Sequence, residues 1–158
     1  MKAIGTGNLF GFSVIGFVLG LSAAQLLTAL GQPFPLSPNS LLVTMPVIGI
    51  GSYLASWPIY RYRKSVEGYE TGPRPSRPNP FYAVRVMLFS RATALAGALF
   101  TGWHLGAAVW LVLFSVSPAS LVGPTLFGVL GALAMLTGGL VGQWNCRTPK
   151  GGDGEETA

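Results

Sequence analysis

Charged residues are what this sequence has least of. Only 9% of its 158 residues are Asp, Glu, Lys or Arg, against roughly 25% in an ordinary soluble domain. A soluble fold of this size needs a charged outer shell, so lipid is the expected solvent. Cysteine and histidine are scarcer still, with one of each, Cys146 and His104. A single cysteine excludes an intramolecular disulfide, and one cysteine with one histidine cannot build a zinc site. The five acidic residues are Glu67, Glu70, Asp153, Glu155 and Glu156. None lies in an apolar stretch, which removes the usual partner of an intramembrane proton relay.

What the sequence does have is two long apolar halves joined by one basic segment. Seven of the ten basic residues lie between Arg61 and Arg91. The net charge of +5 is not a nucleic-acid footprint, because the cations flank apolar spans instead of lining one soluble face.

Four spans are expected. The first covers residues 8–30, uncharged and about 35 Å long at roughly 1.5 Å per residue. A cleaved signal peptide is the competing reading, but its apolar region would be shorter, roughly 7–15 residues, and better charged in front. Residues 31–39, with three prolines, form an uncharged turn. The second span covers 40–60. Pro46 is expected to kink or locally break it, next to Gly49 and Gly51. Trp57, Tyr60 and Tyr62, followed by Arg61, Arg63 and Lys64, mark a headgroup interface.

Residues 65–79 have no apolar periodicity and are read as a loop. The third and longest helix is expected over 81–115. Its first turns carry Arg85 and Arg91 along the cytoplasmic interface, and its membrane part begins near Ala92. The fourth span covers 121–144, with Pro124 in its first turn. Together residues 1–150 are read as one all-α, four-helix membrane domain, and 151–158 as a disordered tail. With both termini and the basic loop inside, all ten Lys and Arg lie in the cytoplasm and both outer turns carry none. The positive-inside rule therefore places both termini in the cytoplasm.

Such helices associate through close backbone approach at small residues. Pairs spaced by four occur at Gly7/Gly11, Gly16/Gly20, Ser52/Ser56, Gly102/Gly106 and Gly138/Gly142. Intramolecular packing is the plainer reading, and docking of a partner or a second copy the sharper one. On the third helix, at about 100° per residue, Thr93, Gly97, Thr101, His104 and Ala108 form one small, polar stripe. Gly102 and Gly106 lie opposite, near Ala98 and Arg91, while Leu99, Trp103 and Trp110 fill a third sector that can face lipid. The third helix is therefore expected at the centre of the bundle.

His104 is the one ionisable group expected near the membrane centre. A neutral imidazole bonded to a nearby Thr, Gln or carbonyl is the better reading than a relay. Gln25 and Thr137 are further polar groups able to bridge helices. Arg61, Arg63, Lys64, Arg85 and Arg91 are the candidate lipid- or partner-binding set. Arg91 either reaches a neighbour or snorkels to the interface.

From Pro80 onward the residues also carry a family pattern. It comprises Pro80, Ala83-x-Arg85, Arg91 followed by Ala92 and Ala94, Gly97-Ala98, Gly102-Trp103-x-x-Gly106, and Cys146 through Pro149. This resembles an actinobacterial family of small membrane proteins, domain-of-unknown-function family three-one-eight-zero. The second half matches in motif and the first half in hydropathy. His104 departs from the pattern, in which a bulky residue is usual. The resemblance implies an actinobacterial plasma membrane, often a gene neighbourhood of folate-pathway enzymes, and no known activity.

Three function classes follow. A non-catalytic accessory or scaffold subunit of a membrane assembly suits the glycine faces, the absent acids and the basic loop. A small transporter or channel component would use broken helices, at which Pro46 and Pro124 hint. A lipid-acting enzyme should show clustered His, Asp or Glu at the interface, which the sequence does not have. No catalytic residue, metal or cofactor is expected. The partners expected are membrane lipids and other membrane proteins or a second copy, not nucleic acid.

Overall fold

The computed structural model describes residues 4–67, 79–114 and 119–147. Within these, four helices form: α1 (Thr6–Ala29), α2 (Asn39–Glu67), α3 (Pro80–Leu113) and α4 (Ala119–Asn145). All four are long and apolar enough to cross a membrane, so the chain is an all-α, four-helix membrane bundle. Residues 68–78 of the loop expected at 65–79, residues 116–118 of the outer turn expected at 116–120, and the C-terminal tail lie outside the described residues.

Local chemistry sets the helix ends. α1 stops where Gly31 takes a φ of +69°, a conformation glycine adopts without a Cβ clash. Gly31 N–H then donates to Thr28 O at 3.1 Å and Gln32 N–H to Leu27 O at 2.9 Å. These two return bonds satisfy the last carbonyls of the helix. α3 begins at Asn79, whose Oδ1 accepts Phe81 N–H at 3.0 Å, with Pro80 in the first turn. α2 continues past the expected end at Tyr60 to Glu67. Arg61, Arg63 and Lys64 are good helix formers, and Lys64 in the last turn complements the helix dipole. The local break expected at Pro46 does not occur, and the helical run is continuous through Pro46 and Pro58, as it is through Pro124 in α4. Pro46 lies beside Gly131 of α4, where the missing side chain leaves room for its ring.

α3 is the centre. It packs against α1 on one side and α4 on the other, and α2 lies along α4 and touches α3. Among the described helices, α1 packs on α3 alone. Backbone meets backbone at the crossings. Gly16 and Gly20 lie on the main chain of Leu99 and Trp103, and Gly102 and Gly106 lie on that of Ser13 and Phe17. Rising numbers on α1 meet rising numbers on α3, so these two helices are parallel. Gly49 of α2 meets Ala134 and Gly138 of α4, again in parallel, while Gly97 meets Leu136 and Gly139 meets Ala94, so α3 and α4 are antiparallel.

The interior is accordingly made of small residues. Ala24, Ala94, Ala98, Ala107 and Ala132 are buried, and one larger cluster joins Met45, Ala132 and Met135 to Leu41, Ala96 and Phe100. Large side chains such as Phe10, Leu54, Val112, Phe127 and Leu130 point outward. An apolar exterior around a glycine–alanine interior is what lipid as solvent selects.

Candidate functional site

The antiparallel order brings the ends of α2 and α4 and the starts of α1 and α3 to one face of the bundle. That face carries Arg61, Lys64 and Arg85, all exposed, with Arg63 and Arg91 half-buried. Arg147, exposed just after α4, joins them. Above them lies a layer of buried polar side chains. Ser52 Oγ donates to Ser90 Oγ at 2.9 Å, across Gly142, whose missing side chain makes the space. One turn nearer the end, Asn145 Nδ2 donates to Ser56 Oγ at 2.9 Å, and Ser56 in turn donates to Tyr53 O at 2.8 Å. Tyr82 Oη donates to Ala55 O at 2.8 Å, tying α3 to α2. Hydrogen bonds between membrane helices contribute about 0.6–2 kcal/mol each. This layer therefore fixes the rotation of α2, α3 and α4 relative to one another.

The basic residues divide by environment. Arg63 reaches back to α4. Its Nη1 donates to Trp144 O at 3.1 Å, and its guanidinium lies 4.8 Å from the Trp144 ring and 5.7 Å from the Tyr60 ring. Tyr60 and Trp144 also face one another at 6.4 Å. Arg63 is thus a clamp between α2 and α4. By contrast, Arg61, Lys64, Arg85 and Arg91 make no hydrogen bond or ion pair among the described residues. Arg91 shares the level of the Ser52–Ser90 bond, just inside the belt of Trp57, Tyr60 and Trp144.

The other polar candidates lie elsewhere. His104 lies on α3 away from the cations, at the level where Ser37 of the segment after α1 meets it. Its Nδ1 lies 2.8 Å from Phe100 O and its Nε2 2.9 Å from Ser37 Oγ. Gln25 Oε1 accepts Trp110 Nε1–H at 2.7 Å, and Trp110 faces Phe34 at 5.6 Å and Phe114 at 5.0 Å. The sector of Leu99, Trp103 and Trp110 therefore meets α1 instead of lipid. Thr137 is exposed and donates to Leu133 O of its own helix at 2.8 Å, so it does not bridge helices.

Two further side chains at the cationic end were not singled out in the sequence. Asn145 is buried at the Ser56 bond. Gln143 is buried too, with Oε1 accepting Ile4 N–H at 3.5 Å and Nε2 unpartnered. The one sequence signal for them is that two amides stand together at the end of an apolar span. Beside them, burial pushes the Cys146 thiol above its ordinary value, leaving less thiolate at neutral pH. Among the described residues no three His, Cys, Asp or Glu gather as metal ligands. The arrangement is a donor-rich, cationic surface suited to holding anions.

A family model described as "Protein of unknown function (DUF3180)" matches residues 9–150. No curated protein and no solved structure matches the chain.

Proposed function

We propose, from the premise that the chain belongs to the DUF3180 family of proteins of unknown function, that this membrane protein is a non-catalytic accessory or scaffold subunit of a plasma-membrane assembly. The observation that carries the reading is the cationic end. Arg61, Lys64, Arg85 and Arg91 are gathered on one face with no anionic partner among the described residues, beneath a polar layer that holds the face rigid. Such a surface suits anionic headgroups and the acidic segments of a neighbouring subunit. With this end in the cytoplasm, both termini are cytoplasmic.

The continuity of α2 and α4 through Pro46 and Pro124 favours this reading over a transporter, which would use broken helices at its site. Affinity purification from mild detergent with mass spectrometry tests it. A membrane protein recovered in fixed ratio to the chain is the expected result. Recovery of the chain alone, at native abundance and in several mild detergents, overturns the proposal.

A further inference from the structure

We infer that the groove between the start of α1 and the end of α4, floored by α3 at Arg91, binds a phosphate group presented by an anionic lipid headgroup. This deepens the reading above by naming what one part of the cationic end recognises, and it rests on that end lying at a membrane interface.

Gln143 is the first observation. It is 7% exposed, and its Nε2 has no hydrogen-bond partner among the described residues. The bond that its Oε1 accepts from Ile4 N–H, at 3.5 Å, is longer than the usual range of about 2.7–3.2 Å. The amide is thus weakly held on one side and unsatisfied on the other. Buried donors in native structures find an acceptor, from the protein or from something bound to it.

Its position is the second. Gly139 backs onto Ala94 and Ser90, and Gly142 onto Ser90. Gln143 lies one turn beyond Gly139 on the same side of α4, opposite the turn of α3 that carries Ser90 and Arg91. At about 100° per residue, Arg91 falls between Gly102, which faces α1, and Ala94, which faces α4. The Ile4 bond draws the chain leading into α1 across this same groove.

Three kinds of donor stand at this level. Arg91 is half-buried and has no hydrogen bond or ion pair among the described residues. α1 begins after Gly5, which offers no side chain to cap it, so the positive end of its dipole is open to an anion. A cation, a helix N-terminus and an amide N–H together call for a compact group rich in acceptors, which describes a phosphate. The belt of Trp57, Tyr60 and Trp144 sets this level as that of the headgroups. Lipid is therefore the source at hand.

Native mass spectrometry and thermal unfolding of the full chain in mild detergent test the inference. The probes are phosphatidylglycerol and inorganic phosphate. Phosphatidylglycerol is expected to stay bound to the wild type and to Arg74→Leu, which removes a positive charge outside the cationic face. Arg91→Leu and Gln143→Glu are each expected to weaken it about tenfold or more, with part of the loss recovered in Arg91→Lys. Gln143→Glu keeps the side chain's size while replacing the donor by a negative oxygen, and its Tm without lipid reports whether it folds. If it does not fold, the comparison of Arg91→Leu, Arg91→Lys and Arg74→Leu decides alone.

Equal retention of lipid by Arg91→Leu and Arg74→Leu overturns the site. A Tm rise with millimolar inorganic phosphate that matches the rise with lipid overturns the lipid source. Unchanged lipid binding together with loss of a co-purifying protein in Arg91→Leu overturns it in favour of an acidic partner. Loss of specific lipid binding leaves the scaffold reading standing, and a chain that purifies without a partner but retains its lipid sinks only that reading.

Discussion

Ser37 Oγ lies 2.9 Å from Nε2 of His104, a bond that pins the turn between α1 and α2 to the side of α3. The other ring nitrogen, Nδ1, faces the carbonyl of Phe100 at 2.8 Å and so must carry the hydrogen. Nε2 of the neutral ring then accepts from the Ser37 hydroxyl. The edge of the ring rests on Gly128, where an added Cβ would collide with it. All the polar capacity of the imidazole is used, and the ring acts as a peg between the turn, α3 and α4.

His104→Phe keeps the bulk and loses the Ser37 bond. It is expected to lower stability by on the order of 1 kcal/mol, with abundance and growth close to wild type. Gly128→Ala is expected to cost more, about 1–3 kcal/mol from overpacking, and the double variant Gly128→Ala/His104→Ala to recover part of that loss. Thermal unfolding in detergent measures both. A null phenotype of His104→Phe at normal abundance refutes the structural role.

Two identical spacings on α1 should behave oppositely. Gly16 and Gly20 meet the backbone of α3, whereas Gly7 and Gly11 meet nothing within 4 Å. Gly16→Leu, or Gly102→Leu across the crossing, is expected to separate α1 from α3, seen as loss of a disulfide engineered between the two helices. Gly11→Leu should leave that cross-link intact, and its loss there would show a different α1–α3 crossing.

Arg63→Lys keeps the charge but gives up the planar group that lies 4.8 Å from the Trp144 ring while bonding its carbonyl. A drop in stability of about 1–2 kcal/mol is expected, with none for Arg61→Leu. Equal effects would mean that charge alone matters at this end.

Burial raises the pKa of Cys146, so its thiolate fraction at pH 7 is smaller than that of a free thiol. Alkylation by a soluble maleimide is expected to be slower than for a cysteine added at Ala158, and its rise with pH to be shifted upward. Mass spectrometry across pH 6–10 follows both rates (about two units either side of neutral to alkaline titration). Matching profiles would contradict the burial.

Topology reporters joined at Ala158 and inserted within residues 34–38 should report opposite sides of the membrane, with Ala158 cytoplasmic. Reports from the same side would break the four-span order.

Hydropathy and charge along the chain already define the number of spans, the gathering of the basic residues at one end and the central place of α3. These follow from partition of each segment between lipid and water and from the two glycine-bearing faces of α3. Both are local properties that a single helix carries alone. Packing between helices is what sets Gly16/Gly20 against α3 and leaves Gly7/Gly11 open, and what brings Leu99, Trp103 and Trp110 to α1. The same packing pairs Ser52 with Ser90 and leaves the Gln143 amide donor unmatched among the described residues. Each of these depends on where two helices cross and how each is rotated about its axis. Those quantities are set by the fit between segments far apart in the chain, and no single segment's composition contains them.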